Sequence, residues 1–468
     1  MNDAKTKSRW MILLLGLCLM FVSVNAAALV SIEDHSSYKL LSTDRMITEP
    51  AHSRWDSNFR ATGGGGDVNG DGFEDIIAVV GNGGADNAPT TEAVIYYGNA
   101  EGVLNQRTYF HESSSVNTTP TSMDIIGDIN GDGYDDIALG APSGDGAVYI
   151  YLGSASGLVT TPHAVLQGLS PAMRLGFSVR RGGDINNDGY ADLVVGAPYY
   201  SNGENEEGAV YIYLGSPAGF QATPDMILES DRTNARFGFS VSGGGDINGD
   251  GFDDVVVGSP GKLTSYSNRQ PEEIGYVYIF LGGAGGISNV PSETLIGSET
   301  DVFCLGFAVT VVGDLNGDGF ADIGASENYT GGTSTHGNIR TRIFYGAQQG
   351  ISNPQTPQLL SNGEGLASIF STNEFNAIGR ARDINADGYD DLVLLNHRSY
   401  VVNDTSQIAG NRNQYLKVYL GSENGVELSR LHTIYSTQNY IFNSHLSMGT
   451  ASDFDGDGLP DISYSNNG

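Results

Sequence analysis

A nine-residue phrase, D-x-[N/D]-x-D-G-x-x-D followed by a short apolar run, returns seven times along this 468-residue chain. Its copies begin at Asp67, Asp128, Asp184, Asp246, Asp314, Asp383 and Asp453, at intervals of 61, 56, 62, 68, 69 and 70 residues. A repeat of this length belongs to a propeller blade or a similar array unit, whose apolar faces are covered only by its neighbours. Length alone would allow two or three domains, but the repeat favours a single large one.

The chemistry of the phrase points to a hard cation. In the second copy Asp128, Asn130, Asp132 and Asp136 occupy positions 1, 3, 5 and 9 and offer oxygen donors, Tyr134 at position 7 offers its carbonyl, and Gly133 permits a sharp turn. Calcium accepts six to eight such oxygens, whereas magnesium tolerates an irregular all-protein cage poorly and zinc prefers nitrogen and sulfur. The corresponding predicted ligands are Asp67, Asn69, Asp71, Phe73 and Asp75; Asp184, Asn186, Asp188, Tyr190 and Asp192; and Asp246, Asn248, Asp250, Phe252 and Asp254. They continue as Asp314, Asn316, Asp318, Phe320 and Asp322; Asp383, Asn385, Asp387, Tyr389 and Asp391; and Asp453, Asp455, Asp457, Leu459 and Asp461, so up to seven calcium ions are expected. One such loop would be an ordinary Asp/Asn/Gly turn; seven intact copies are not. An EF-hand needs a glutamate at position 12, where the first three copies carry Ala78, Leu139 and Val195 within β-branched, strand-like exits.

These loops also account for the charge. Three carboxylates from each of six loops and four from the seventh make 22 of the 55 acidic residues, and seven divalent ions would bring the net charge from -32 to about -18. The remaining acidity argues against a nucleic-acid partner. Lys5, Lys7 and Arg9 precede an apolar stretch, Trp10 to Val24, and Ala26, Ala27 and Ala28 offer a cleavage site, so residues 1–28 read as a secretory signal. The stretch is shorter than the ~20 residues of a spanning helix, and Leu17 before Cys18 does not suit a lipoprotein. Cys304 is then the single cysteine of the mature chain, which leaves metal rather than disulfides to brace an exported fold.

A second phrase recurs between the loops: Val148-Tyr149-Ile150-Tyr151-Leu152-Gly153, Val210-Tyr211-Ile212-Tyr213-Leu214-Gly215 and Val277-Tyr278-Ile279-Phe280-Leu281-Gly282. With a further short strand such as Ala164-Val165-Leu166, each unit holds four strands, the aspartate loop joining the first two. Gly176-Phe177, Gly238-Phe239 and Gly306-Phe307 precede several loops, and Gly140-Ala141-Pro142, Gly196-Ala197-Pro198 and Gly258-Ser259-Pro260 follow them. On these pairs the chain resembles the FG-GAP repeat family, the blades of the integrin α-subunit head and its bacterial relatives. The match weakens at Gly324-Ala325-Ser326 and Leu395-Asn396-His397, and the first and last units lack a clear Phe-Gly pair. The resemblance implies an all-β, seven-bladed β-propeller of four-stranded blades, agreeing with the count of seven loops. Residues 29–468 are assigned to it. Only Ile462-Ser463-Tyr464 follows the last loop, so the strand-like runs Ala28 to Ile32 and Tyr38 to Leu41 are expected to complete blade 7; a C-terminally truncated sequence is the rival reading.

In a four-stranded antiparallel blade the 1-2 and 3-4 loops share one face, so all seven aspartate loops are expected together. Longer 2-3 connections would then populate the other face with Tyr199, Tyr200 and Asn202; Tyr266, Asn268 and Arg269; Asn328, Tyr329 and His336; and Arg398, Tyr400 and Arg412. The resemblance implies ligand capture there. The expected function is a secreted, periplasmic or cell-surface, monomeric, non-catalytic binding or adhesion module for a protein or glycan. The alternative is an extracellular polysaccharide-active lyase or hydrolase on a calcium-rich propeller, against which stand scattered histidines and the absence of H-E-x-x-H and G-x-S-x-G.

Overall fold

The computed structural model describes residues 57–82, 90–100, 106–113, 120–170, 172–261, 275–297, 303–329, 339–354, 356–361, 377–399, 412–435, 447–448, 452–454, 456–461 and 464–465. The signal segment, the two N-terminal strand-like runs, Asp455, Tyr266, Asn268, Arg269, His336 and Tyr400 lie outside them. Among the described residues there is no helix, and so none long and apolar enough to cross a membrane.

Among the described residues, six four-stranded antiparallel sheets follow one another along the chain, each a simple meander. The first is Ser57–Gly66, Asp75–Asn82, Thr90–Tyr96 and Arg107–Ser113; the second is Ser122–Gly127, Asp136–Ala141, Ala147–Tyr151 and Ala164–Gln167. The third is Ser178–Gly183, Asp192–Ala197, Ala209–Tyr213 and Met226–Glu229; the fourth is Ser240–Ser242, Val255–Ser259, Tyr276–Phe280 and Glu293–Ile296. Phe303–Gly313, Asp322–Tyr329, Ile339–Phe344 and Gln358–Ser361 form the fifth, and Ala377–Arg382, Asp391–Ser399, Arg412–Leu420 and Glu427–Tyr435 the sixth. A last pair, Ser447–Met448 with Tyr464–Ser465, brackets the seventh aspartate loop.

The first strands of these sheets neighbour one another in sequence order, and Ser447–Met448 touches both Ala377–Arg382 and Ser57–Gly66, so the series of first strands closes on itself. The apolar core lies between successive sheets rather than at one centre. Along the second strand of sheet 2, Ile137 and Leu139 pack toward sheet 1 while Ala138 packs toward sheet 3, the two-residue alternation of a strand covered on both faces. That double burial explains why the strand exits read as unbroken apolar runs. Each such fully buried Leu or Ile contributes roughly 1.5–3 kcal/mol.

The Gly-Phe and Gly-Ala-Pro pairs are contact points between sheets. A Cβ on Gly140 would stand 2.3 Å from the Gly176 carbonyl oxygen and 2.4 Å from Ser122 Oγ, and that hydroxyl donates to the same carbonyl at 2.8 Å. Ser178 and Ser240 repeat the bond to Gly238 and Gly306 at 2.9 Å. Only a residue without a side chain admits this backbone approach.

Candidate metal centre

Each aspartate loop sits between the first and second strands of its sheet, as the sequence predicts. Inside the second loop, Asp128 Oδ1 accepts the Gly131 N–H at 2.7 Å and the Asp132 N–H at 3.2 Å, and Asp128 Oδ2 accepts the Gly133 N–H at 2.7 Å. Asn130 Nδ2 donates to Asp132 Oδ2 at 3.0 Å, and Asp132 Oδ1 takes the Tyr134 N–H at 3.1 Å. These are local side-chain-to-backbone turns, which is why Asp, Asn and Gly at fixed spacing shape the loop without help from elsewhere. The bonds of Asp314 to Gly317 and Gly319, 2.7 and 2.8 Å, show the same web in the fifth copy.

Position 9 reaches further. Asp136 is 0% exposed; its Oδ2 accepts the Ile129 N–H at 3.0 Å and its Oδ1 the Gly153 N–H at 2.8 Å, joining the 1-2 loop to the 3-4 turn. Asp75, Asp192, Asp254, Asp322 and Asp391 repeat both bonds, and Asp461 keeps the one to Phe454 at 3.2 Å. Gly153 ends the second recurrent phrase because a Cβ there would meet the Asp135 oxygen at 2.4 Å and the Val68 oxygen at 2.6 Å.

The loops also hold one another. Position 8 donates its N–H to the position-1 carbonyl of the preceding loop: Asp135 to Asp67, Ala191 to Asp128, Asp253 to Asp184, Ala321 to Asp246, Asp390 to Asp314, and Glu74 to Asp453, at 2.9 to 3.2 Å. The last of these joins the first loop to the seventh, and Arg382 braces Glu74 at 2.9 Å. Pro460 occupies position 8 of the seventh copy and has no N–H to give. Position 7 adds a ring. Tyr134, Tyr190, Phe320, Tyr389 and Phe73 each lie over position 4 of the preceding loop, where a Cβ on Gly70, Gly131, Gly249, Gly317 or Gly456 would approach to 2.6 or 2.7 Å. The sequence pattern predicts only a carbonyl role for position 7; the aromatic residue that recurs there is the signal for this second role.

Electrostatically the loops are acidic and self-repelling. Burial pushes Asp75, Asp136, Asp192, Asp254 and Asp391 up to about 7 and Asp322 up to about 8; backbone N–H donors pull them down, and the position-1 and position-5 carboxylates push them up again. The oxygen-only donor set, closed by a buried carboxylate that no basic side chain offsets within its loop, suits a calcium-like ion, and Asp128 Oδ2, Asp132 Oδ1 and the two Asp136 oxygens, each taking one N–H, retain lone-pair capacity.

On the opposite end of the sheets, Phe177 contacts Phe239 at 4.9 Å between ring centroids and Phe239 contacts Phe307 at 5.4 Å. Arg174 and Arg236 stand over the Tyr199 ring at 4.3 and 5.0 Å, while Tyr200 packs edge-on to Tyr211 and Asn202 bonds Glu229. Asn328, Tyr329, Arg398 and Arg412 fall in strands of sheets 5 and 6.

The family model of the FG-GAP repeat matches residues 125–151, 176–213 and 237–280, within sheets 2 to 4. Integrin alpha-V of Gallus gallus is 32% identical over 270 residues, 53% of this chain and 24% of that protein. Integrin alpha-5 of Xenopus laevis is 36% identical over 157 residues, 30% of this chain and 15% of that protein, and Integrin alpha-6 of Gallus gallus is 39% identical over 152 residues, 31% and 14%. The matched stretch thus spans a quarter or less of each of these relatives. The chain therefore carries FG-GAP repeats in sheets 2 to 4, where Gly-Phe and Gly-Ala-Pro residues form contacts between meandering sheets, and over part of its length it is similar to integrin α chains.

Proposed function

We propose that the chain is a calcium-braced, seven-bladed β-propeller that acts outside the cell as a non-catalytic binding or adhesion module. The observation that supports this reading is the series of six loop-to-loop bonds, from Asp135 on Asp67 to Asp390 on Asp314 together with Glu74 on Asp453, through which a cation at one loop would stiffen its neighbour as well. The predicted ligand positions 1, 3, 5, 7 and 9 of each loop would hold the ion, and its role is to neutralise carboxylates that otherwise repel. Residues 1–28 would direct export, and the runs Ala28 to Ile32 and Tyr38 to Leu41 would supply the outer strands of the seventh blade beside Tyr464–Ser465.

The ligand is a protein or a glycan, bound by the monomer on the face bearing Tyr199 and the Phe177–Phe239–Phe307 row, where aromatic rings and guanidinium groups offer apolar and polar contact together. Similarity to integrin α chains supports recognition rather than catalysis. Glycan and surface-protein arrays probed in calcium and in chelator test the reading. Selective, calcium-dependent binding that is lost in Tyr199→Ala is expected; turnover of a polysaccharide by the purified chain would refute it.

A further inference from the structure

At the end of sheet 3 farthest from its aspartate loop, the connection 198–208 folds over the close of the fourth strand. Three carboxylates meet there: Glu207, Glu229 and Asp231 each place an oxygen within 4.8 Å of the other two. Glu207 is 0% exposed; one of its oxygens accepts the Asn202 N–H, and its Oε2 has no hydrogen-bond partner. The buried Tyr211 hydroxyl is unpartnered as well, and burial, then Tyr200, Tyr213 and Glu229, raise its pKa. Asn202 Nδ2 sits 3.3 and 3.2 Å from the two oxygens of Glu229 and fixes that side chain over the cluster.

Among the described residues no basic side chain is paired with this charge. Arg236 pairs with Glu206 at 3.3 Å, and Arg232 stands 4.0 Å over the Tyr276 ring and donates to its hydroxyl at 2.6 Å. Burial raises the Glu207 carboxyl, the Asn202 N–H opposes it, and the charges of Glu229 and Glu204 raise it again. A buried carboxylate persists as an anion only when a counter-charge accompanies it. Oxygens spaced like these fit around one cation with metal-oxygen distances of about 2.4 Å, the range of calcium.

We propose that Glu207, Glu229 and Asp231 form a divalent-cation site of the calcium class, separate from the seven aspartate loops and at the other end of the sheet. It does not depend on the loops being occupied. Glu229 is half-buried and Asp231 exposed, so Glu229→Gln with Asp231→Asn leaves the interior intact and is the preferred variant; Glu207→Gln is the more disruptive second one.

Equilibrium dialysis of the full chain against labelled calcium at about 1 mM free ion counts the ions per chain, with Asp132→Asn as the control for a loop. The double variant is expected to bind one ion fewer than the wild type while keeping those that Asp132→Asn and its equivalents remove. Should the loops prove empty, the wild type would still bind a single ion and the double variant none. Equal counts in wild type and double variant would overturn the site and assign the compensation to a proton on Glu207.

Discussion

The Asp135 N–H donates to the Asp67 carbonyl at 3.1 Å while the Asp135 carboxylate takes back the Asp67 N–H at 2.8 Å, so one residue of the second loop closes both polar groups of a residue in the first. Asp253 with Asp184, Asp390 with Asp314 and Glu74 with Asp453 repeat this reciprocal pair. Ala191 and Ala321 keep only the main-chain half.

Asp135→Ala should therefore behave as a half-latch. It leaves the part-buried Asp67 N–H without its acceptor, a loss of about 1–2 kcal/mol. Urea unfolding should report a lower midpoint with an unchanged slope. An equal loss in Ala191→Ser, which disturbs no such pair, would remove the explanation.

Gly140→Ala should be far more costly than Gly144→Ala. The first forces a methyl group against the Gly176 carbonyl and Ser122, whereas a Cβ at Gly144 meets nothing within 4 Å and pays only for its φ of 69°. Expected losses are about 3 kcal/mol or more for the former and about 1 kcal/mol for the latter. Thermal melts of the two variants decide the order.

Removing the ring of Tyr134 should loosen the contact with Gly70 without touching any carboxylate. Tyr134→Ala is expected to cost about 1–2 kcal/mol through lost apolar burial, and Tyr134→Phe almost nothing. Calorimetry in saturating calcium checks this, since a loss confined to calcium-free protein would instead mean that the residue acts through the ion.

Chelation should lower the melting temperature, and calcium should restore it; a site saturated about 100-fold contributes ~2.7 kcal/mol. In chelated protein the position-9 aspartates, raised by burial to about 7 and for Asp322 to about 8, keep protons that the unfolded chain would release. Their stabilisation is thus full below about pH 4 and disappears as pH climbs through 7 to 8. The chelated chain should melt lower at pH 8 than at pH 5, and calcium should flatten that slope. Melting that rises with pH in chelator would contradict the assignment.

Much of this was legible in the sequence because the loops are built from local bonds. Asp128 organises residues only three to five positions away, so spacing alone announces the turn, and the apolar exits announce strands covered on both faces. What the sequence concealed acts across 20 residues or more. The Asp135 to Asp67 bond spans 68 positions, and nothing local announces that the Asp135 carboxylate meets a residue of another repeat. The aromatic residue at position 7 was visible as a recurrence, yet its partner is a glycine in another repeat. Glu207, Glu229 and Asp231 converge only because the third and fourth strands of one sheet run antiparallel, with Ala209 opposite Glu229.

Proline at 460 leaves an asymmetry in an otherwise uniform circle. Six pairs of neighbouring loops are fastened through the amide of position 8, while Pro460, the position-8 residue that follows Asp383's loop, has no amide hydrogen. Under heat or mechanical pull, the junction between the sixth and seventh loops, which lacks this amide bond, is expected to part before the six junctions that have it.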